Sequence, residues 1–139
     1  FSVGTDIEVV DSEGDVGQWP DFHVMGDKIH IVYQDGGNQQ LKYAVGGPGA
    51  WTISVIDDKP YTGADTALFF DGDDPRVAYF EGRANDMKLA KMSASVWSSS
   101  VVAAEGAVGF HNEVIQIGGQ AYVACYNYSK RNVYFAEID

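Results

Sequence analysis

The sequence contains the phrase Val32-Tyr33-Gln34-Asp35, followed by Leu41-Lys42-Tyr43-Ala44 and then by Trp51. A second copy reads Ala78-Tyr79-Phe80-Glu81, Met87-Lys88-Leu89-Ala90 and Trp97. A third reads Cys125-Tyr126-Asn127-Tyr128 and then Val133-Tyr134-Phe135-Ala136. Self-similarity of this kind within one chain indicates a repeat architecture.

The spacing of the copies is 46 residues. It separates Ala44 from Ala90 and Ala90 from Ala136, and it also relates the glycines Gly17, Gly63 and Gly109. Aligning Tyr79 with Tyr126 requires a spacing of 47, so we place a one-residue insertion near Gly118-Gly119. We expect the repeated tyrosines to lie in the core and the repeated Trp51 and Trp97 to have packing roles.

Each repeat holds four short apolar segments, which in the first unit run near Asp21–Met25, Lys28–Gln34, Gln40–Val45 and Trp51–Ile56. Turn residues such as Gly26-Asp27 separate them, and no window has a helical period. Four strands per repeat of 40–50 residues are typical of a β-propeller blade. We therefore predict an all-β propeller domain spanning 1–139, with three four-stranded blades at about 16–58, 59–105 and 106–139 plus 5–11.

The third repeat has no fourth strand of its own, and the N-terminal segment matches one. Ile7-Glu8-Val9-Val10-Asp11 resembles Ser54-Val55-Ile56-Asp57, again at a spacing of 46. We predict that residues 5–11 form the strand that closes the last blade. Since propellers generally have four or more blades, two chains would form a six-bladed homodimeric ring in which each N-terminal strand completes the partner's third blade. The alternative is that the sequence is an excerpt of a longer propeller chain.

Composition narrows the possible partners. The formal net charge of −11 disfavours nucleic acid and anionic membranes, because both would be repelled. No apolar run is long enough to insert into a bilayer. The single cysteine, Cys125, has apolar neighbours and is interpreted as a core residue. The three histidines lack metal-ligand spacing, so neither a metal nor another cofactor is expected.

The repeat resembles that of secreted bacterial β-propeller proteins, whose blades follow the pattern G-x-aromatic … HISYYD … LKYA … W. The matching residues here are Gly17-Gln18-Trp19, His30-Ile31-Val32-Tyr33-Gln34-Asp35, Leu41-Lys42-Tyr43-Ala44 and Trp51, with weaker matches in the second repeat. Some proteins of this group are lectin-like. The resemblance therefore implies a propeller fold, a secreted or cell-surface location and a lectin-like role.

The residues that follow the repeated glycine differ between repeats, which makes them the candidate ligand-binding set. They are Trp19, Asp21, Asp65, His111, Asn112 and Glu113. An indole stacks on a sugar ring and carboxylate or amide groups bind hydroxyls, so we predict a non-enzymatic carbohydrate-binding propeller. Two alternatives are a glycoside hydrolase or lyase that uses the carboxylates, and a protein-interaction scaffold. A structural reading, in which these residues pack blade edges and cap turns, also stays open.

Overall fold

The computed structural model describes residues 7–138, and within them every regular element is a β-strand. The eleven strands are β1 (Val16–Met25), β2 (Lys28–Asp35), β3 (Gln40–Gly47), β4 (Ala50–Asp57), β5 (Thr62–Asp71), β6 (Asp74–Glu81), β7 (Asp86–Ser93), β8 (Val96–Ala103), β9 (Val108–Ile117), β10 (Gln120–Asn127) and β11 (Asn132–Ile138). In this part of the chain no helix could cross a membrane.

The strands form three antiparallel sheets, taken in chain order. Two have four strands, β1-β2-β3-β4 and β5-β6-β7-β8, and the third has three, β9-β10-β11. The first strands of successive sheets, β1, β5 and β9, contact each other extensively, whereas the last strands β4 and β8 contact each other far less. The sheets therefore fan outward from their first strands, as blades do around a propeller axis.

The first strand of the first blade begins earlier than the sequence predicts. β1 starts at Val16 rather than near Asp21, because Val16 pairs with Asp35 and the pairing then continues through two register shifts. These shifts are β-bulges, which add a residue and bend the strand. Gly17 at φ 100° and Trp19 at φ 53° supply the left-handed backbone that the bend requires.

Two hydrophobic clusters lie between neighbouring blades. Between the first and second blades the cluster joins residues such as Val32 and Leu41 to Val77 and Tyr79, which are all 3% exposed or less. A second cluster, which includes Cys125, joins the second blade to the third. Both faces of the middle sheet are therefore covered, which explains its near-continuous apolar strands.

The predicted insertion in the third blade is wrong. Cys125 pairs with Tyr134 as Tyr79 pairs with Lys88, so the equivalent of Tyr79 is Cys125, at a spacing of 46. The Gly118-Gly119 turn has two residues, like the turns at the same place in the other blades. Tyr126 is 36% exposed and is not a core residue. The adjacent tyrosine misled the alignment, because the core position had changed residue type.

The described part of the N-terminal segment, residues 7–11, forms no strand with the rest of the described chain. Residues 7–11 are irregular, and residues 5 and 6 of the predicted strand lie outside the described residues. Asp11 nevertheless occupies a defined place. Its carboxylate accepts hydrogen bonds from the Tyr33 hydroxyl at 2.8 Å and from Lys42 Nζ at 2.5 Å, both on the first blade.

Candidate functional site

The predicted ligand-binding residues sit on the bulges of the first strands. Trp19, Asp65 and His111 occupy the same place in the three blades, and their φ angles are 53°, 50° and 55°. A left-handed backbone at a non-glycine residue costs free energy, and a repeated cost marks a position that the fold needs. Here the bulges hold neighbouring blades together, as the contacts of each residue show.

The structure brings Asp65, His111 and Asn112 together at the junction of the second and third blades. Asn112 is buried, and its side-chain amide donates to the carbonyl oxygens of Asp65 and Gly109, both at 2.8 Å. His111 Nδ1 lies 3.5 Å from Asp65 Oδ1, with the imidazole exposed and the carboxylate buried. Asp65 and Asn112 therefore connect blades, and only His111 of the three is open to a ligand.

Trp19 and Asp21 lie at the junction of the first and second blades, apart from that group. Asp21 accepts hydrogen bonds from the backbone amides of Leu68 at 2.7 Å and Phe22 at 2.8 Å, so both carboxylate oxygens are engaged. The carbonyl oxygen of Trp19 accepts from the Thr66 hydroxyl. The Trp19 indole is 47% exposed, and Glu113 is exposed on the third blade. Five of the six predicted residues are thus distributed over two junctions, and Glu113 lies apart from them.

A groove that the sequence analysis missed lies beside these bulges, between the first and second blades. Its volume is about 290 Å³. Glutamines line the first-blade side, and aromatic or small residues line the second-blade side: Gln18, Gln34, Gly36, Gln39, Tyr61, Ala64, Phe80 and Gly82. Gln18 and Ala64 immediately precede the bulge residues Trp19 and Asp65, so the groove adjoins the predicted set.

Hydrogen bonds fix two walls of this groove. Gln34 Nε2 donates to the carbonyl oxygen of Thr62 at 2.7 Å, and the backbone amide of Gly82 donates to the carbonyl oxygen of Tyr61 at 2.7 Å. Tyr61 is 51% exposed. Within residues 7–138 the side-chain amide of Gln39 forms no hydrogen bond, which leaves its donor and acceptor available. The groove therefore combines an accessible aromatic ring with polar groups of both kinds.

Small residues are what keep the groove open. At the next junction the equivalents of Ala64 and Gly82 are Phe110 and Tyr128. Phe110 packs on Phe80 with ring centroids 4.3 Å apart, and Tyr128 lies 6.2 Å from Phe110. Aromatic rings thus fill the space that stands open between the first two blades. The sequence contained a signal for this groove, because two repeat positions that are aromatic in the third blade are small in the second.

A second recurring feature is a buried network, found between the first and second blades and again where the N-terminal segment meets the first blade. The Asp57 carboxylate accepts from Lys88 Nζ at 2.6 Å, from the Tyr79 hydroxyl at 2.6 Å and from Ser99 at 3.3 Å. Burial acts to raise the pKa of Asp57, but the hydrogen bonds from Lys88 and Tyr79 outweigh it and hold that pKa below its ordinary value. Asp11 is held with lowered pKa in the same way. Each carboxylate is saturated by its own partners.

His30, which the family pattern shares, is a buried structural residue. Its Nδ1 lies 2.5 Å from the Tyr43 hydroxyl, and burial raises the pKa of Tyr43 to about 12, so that hydroxyl stays protonated. Burial, followed by the charges of Lys28 and His23, lowers the pKa of His30. In the second blade the equivalent Arg76 pairs with Asp71 beside a smaller cavity of about 110 Å³.

Comparison with known proteins places the fold but not the family. No protein-family model matches, and no curated protein matches. A solved structure described as Bacteroides ovatus Xyloglucan PUL GH43B is similar, with a TM-score of 0.57 at 13% sequence identity. The match covers 82% of this chain but 25% of that one, so the chain spans about a quarter of the length of that structure. GH43 proteins are five-bladed β-propellers. This chain thus has an all-β, propeller-like fold.

Proposed function

We propose that this protein is a non-enzymatic carbohydrate-binding β-propeller and that the groove between its first and second blades holds the sugar. The observation that carries the proposal is the composition of that groove, where three glutamine side chains face Tyr61 and Phe80 across about 290 Å³. A volume of this order suits one or two small rings, since ligand pockets start at about 300 Å³.

The chemistry of the groove fits neutral sugars. The Gln39 amide supplies donors and an acceptor, which match hydroxyl groups that also donate and accept. The Nε2 groups of Gln18 and Gln34 already donate to Asp15 Oδ2 and to the carbonyl oxygen of Thr62. The half-exposed ring of Tyr61 offers an apolar surface to the C–H face of a sugar and a hydroxyl at its edge. The formal net charge of −11 favours neutral over anionic glycans.

The hydrolase and lyase alternative gains no support from the carboxylates. Glycoside hydrolysis uses two carboxyl groups roughly 5–9.5 Å apart on either side of the scissile bond. Asp65 is 9% exposed, and both oxygens of Asp21 accept backbone hydrogen bonds. Of the three acidic candidates only Glu113 is freely exposed. The similarity to a glycoside hydrolase structure is a similarity of fold, which carries no catalytic residues with it.

The proposal is tested by closing the groove with the residues of the next junction. The double substitution Ala64→Phe and Gly82→Tyr copies Phe110 and Tyr128. We expect it to abolish binding of whichever neutral glycan a glycan array identifies. Gly82→Ala is the matched control, because an added Cβ there meets its neighbours at ordinary distances of 3.5 Å and leaves the groove open. Isothermal titration calorimetry measures both variants.

A second pair of variants separates the groove from the general surface. Gln39 and Arg131 occupy the same place in their blades and have φ angles of 58° and 54°, so alanine has a similar backbone cost at both. We expect Gln39→Ala to weaken binding about tenfold, the effect of losing ~1.4 kcal/mol of hydrogen bonding, and Arg131→Ala to leave it unchanged. An array without hits, or full binding by the closed groove, would refute the proposal.

We further infer that the groove belongs to a six-bladed ring made by two chains. Three blades alone leave two outer faces uncovered, and propellers typically have four to eight blades. A two-chain ring would present two equivalent grooves. Because both could engage one glycan-coated surface, attachment would be stronger than the affinity of a single groove.

A further inference from the structure

Each blade has a preceding-side face, which contacts the blade before it in the chain, and a following-side face, which contacts the blade after it. The preceding-side face is exposed in the first blade and buried in the second. Phe22 and Val24 are 67% and 64% exposed. Leu68 and Phe70, which occupy the same places in the second blade, are 2% and 6% exposed because the first blade covers them. The first blade therefore carries the apolar surface of a blade that has a neighbour on that side.

The following-side face is likewise exposed in the third blade and buried in the second. Val133 and Phe135 are 78% and 64% exposed, whereas their equivalents Met87 and Leu89 are 0% and 3% exposed beneath the third blade. Two such faces on one chain are complementary in kind, because at both internal junctions a following-side face packs against a preceding-side face. Exposed apolar surface on this scale marks an interaction site.

The repeated glycine points to the same missing neighbour. A Cβ added at Gly63 would lie 3.0 Å from Leu41 Cα, and one added at Gly109 would lie 2.9 Å from Met87 Cβ. Each contact is with the preceding blade. Among residues 7–138 nothing lies within 4 Å of a Cβ added at Gly17, although its φ of +100° matches theirs. The first blade keeps the shape that allows the close approach of a preceding blade.

Residues 7–11 occupy the place where the last strand of that preceding blade would run. Asp11 makes the contacts with Tyr33 and Lys42 that Asp57, at the end of β4, makes with Tyr79 and Lys88. Within residues 7–138 the outer edge of β11 has no paired strand. An open edge of this kind presents a row of backbone donors and acceptors to any extended segment.

We propose that a second copy of this chain supplies residues 7–11 as the fourth strand of the third blade. The register follows from the complete blades, where Met87 pairs with Ala103 and Leu89 with Ser100. By the same spacing Val133 pairs with the partner's Asp11, and Phe135 with the partner's Glu8. The two exposed faces pack together at this junction, and the twofold arrangement repeats it to close the ring. This inference rests on the two-chain ring and is independent of sugar binding.

The first test is the mass of the 139-residue chain in solution. Sedimentation velocity and light scattering are expected to give twice the chain mass of 15.1 kDa at micromolar concentration. A monomer at every accessible concentration would overturn both the ring and the strand exchange, and the faces would then await further blades or another protein.

The second test locates the junction. Phe135→Lys places a charge at the centre of the proposed interface, and we expect loss of the dimer with the sheet retained by circular dichroism. Val101→Lys is the matched control, because Val101 is 52% exposed on β8 of the complete middle blade. A dimer that survives Phe135→Lys would refute the proposed interface.

The third test reads the strand register directly. In a Cys125→Ala background, one chain carries Glu8→Cys and another carries Phe135→Cys. Oxidation of their mixture is expected to give a disulfide between the two kinds of chain, whereas either variant alone stays uncrosslinked. A dimer that gives no mixed disulfide would leave the ring standing and refute the strand exchange.

Discussion

Replacing Asp57 by alanine gives the sharpest test of how the blades are joined. The carboxylate accepts from Lys88 Nζ and from the Tyr79 hydroxyl, both at 2.6 Å. The side chains of Lys88 and Asp57 are 9% and 4% exposed. Removing one partner of a buried pair leaves the other charge without compensation and costs about 3–5 kcal/mol. That is a large part of the roughly 5–15 kcal/mol by which a domain is stable.

The third blade shows how this loss can be reversed. At the positions of Asp57, Tyr79 and Lys88 the second junction has Ala103, Cys125 and Tyr134, so the network is absent as a unit. We expect the triple variant Asp57→Ala, Tyr79→Cys and Lys88→Tyr to be more stable than Asp57→Ala alone, even though it differs from the natural sequence at more positions. Replacing a whole buried ion pair by well-packed neutral residues is often neutral in free energy.

Urea unfolding followed by circular dichroism measures these differences. With a slope of about 2 kcal/mol/M, a loss of about 4 kcal/mol shifts the midpoint by about 2 M. Protein concentration is held fixed because dimerisation would add to stability. Asp71→Ala is the control: its pair with Arg76 is at the surface, where Asp71 is 62% exposed, so we expect a change below about 1 kcal/mol.

The pH dependence supplies an independent check. Since the folded-state pKa of Asp57 lies below its ordinary value, its stabilisation is present above the unfolded-state pKa of about 3.9 and is lost as pH falls through the folded-state pKa. The difference between the natural chain and Asp57→Ala should therefore shrink in acid. If Asp57→Ala costs no more than Asp71→Ala, or if the triple variant is the less stable one, the network is not what joins these blades.

Three further predictions follow from single positions. Gly63→Ala should destabilise by about 1–3 kcal/mol in thermal melts, because its φ of +93° and the contact with the first-blade backbone both oppose a Cβ; Gly72→Ala, in open space, should cost about 1 kcal/mol. The His30 imidazole should titrate by NMR below 6.5, since burial disfavours its charged form; its stabilisation is then lost as pH falls below that value, and titration at 6.5 or above would contradict this. Cys125, 4% exposed with its thiol pKa raised by burial, should react with a thiol reagent only after unfolding, so fast native labelling would exclude it from the core.

The repeat made the blades predictable, and the exceptions within it limited the prediction. A spacing of 46 residues located the strands of each sheet because alternating apolar residues and two-residue turns depend on local sequence. The equivalence of Cys125 and Tyr79 was missed because a tyrosine stands next to the cysteine. The spacing of 46 from Ala90 to Ala136, beyond the supposed insertion, already argued for it, and the strand pairing shows it directly. The earlier start of β1 depended on a bulge. Trp19 and its equivalents have positive φ angles there, and their residue types do not predict such angles.

The structure shows that several of the predicted site residues form blade junctions, and their role in ligand binding stays a prediction. Variation after the repeated glycine pointed to Asp21 and Asn112, whose side chains in fact bind the backbone of the neighbouring blade. Hydrogen-bonding residues that vary between repeats serve a junction as readily as a ligand, and sequence alone does not separate the two. The groove itself depends on Ala64 and Gly82, whose contribution is the space that they leave.

Comparison of the junctions therefore assigns roles better than comparison of the repeats. Positions that keep their residue type, such as the glycines at the bulges, hold blades at close distance and tolerate little change. Positions whose residue types differ together between the two junctions indicate a difference in the roles of those junctions. At the second junction neutral residues replace the equivalents of Asp57, Tyr79 and Lys88 together. This agrees with the high free-energy cost of removing only one partner of a buried ion pair. At the first junction Ala64 and Gly82 stand where the second junction has Phe110 and Tyr128. Aromatic packing at these positions is therefore absent from the first junction only. Lost aromatic packing weakens a junction, so the Ala64→Phe and Gly82→Tyr substitutions proposed above separate the two roles: they should abolish glycan binding and add packing at this junction.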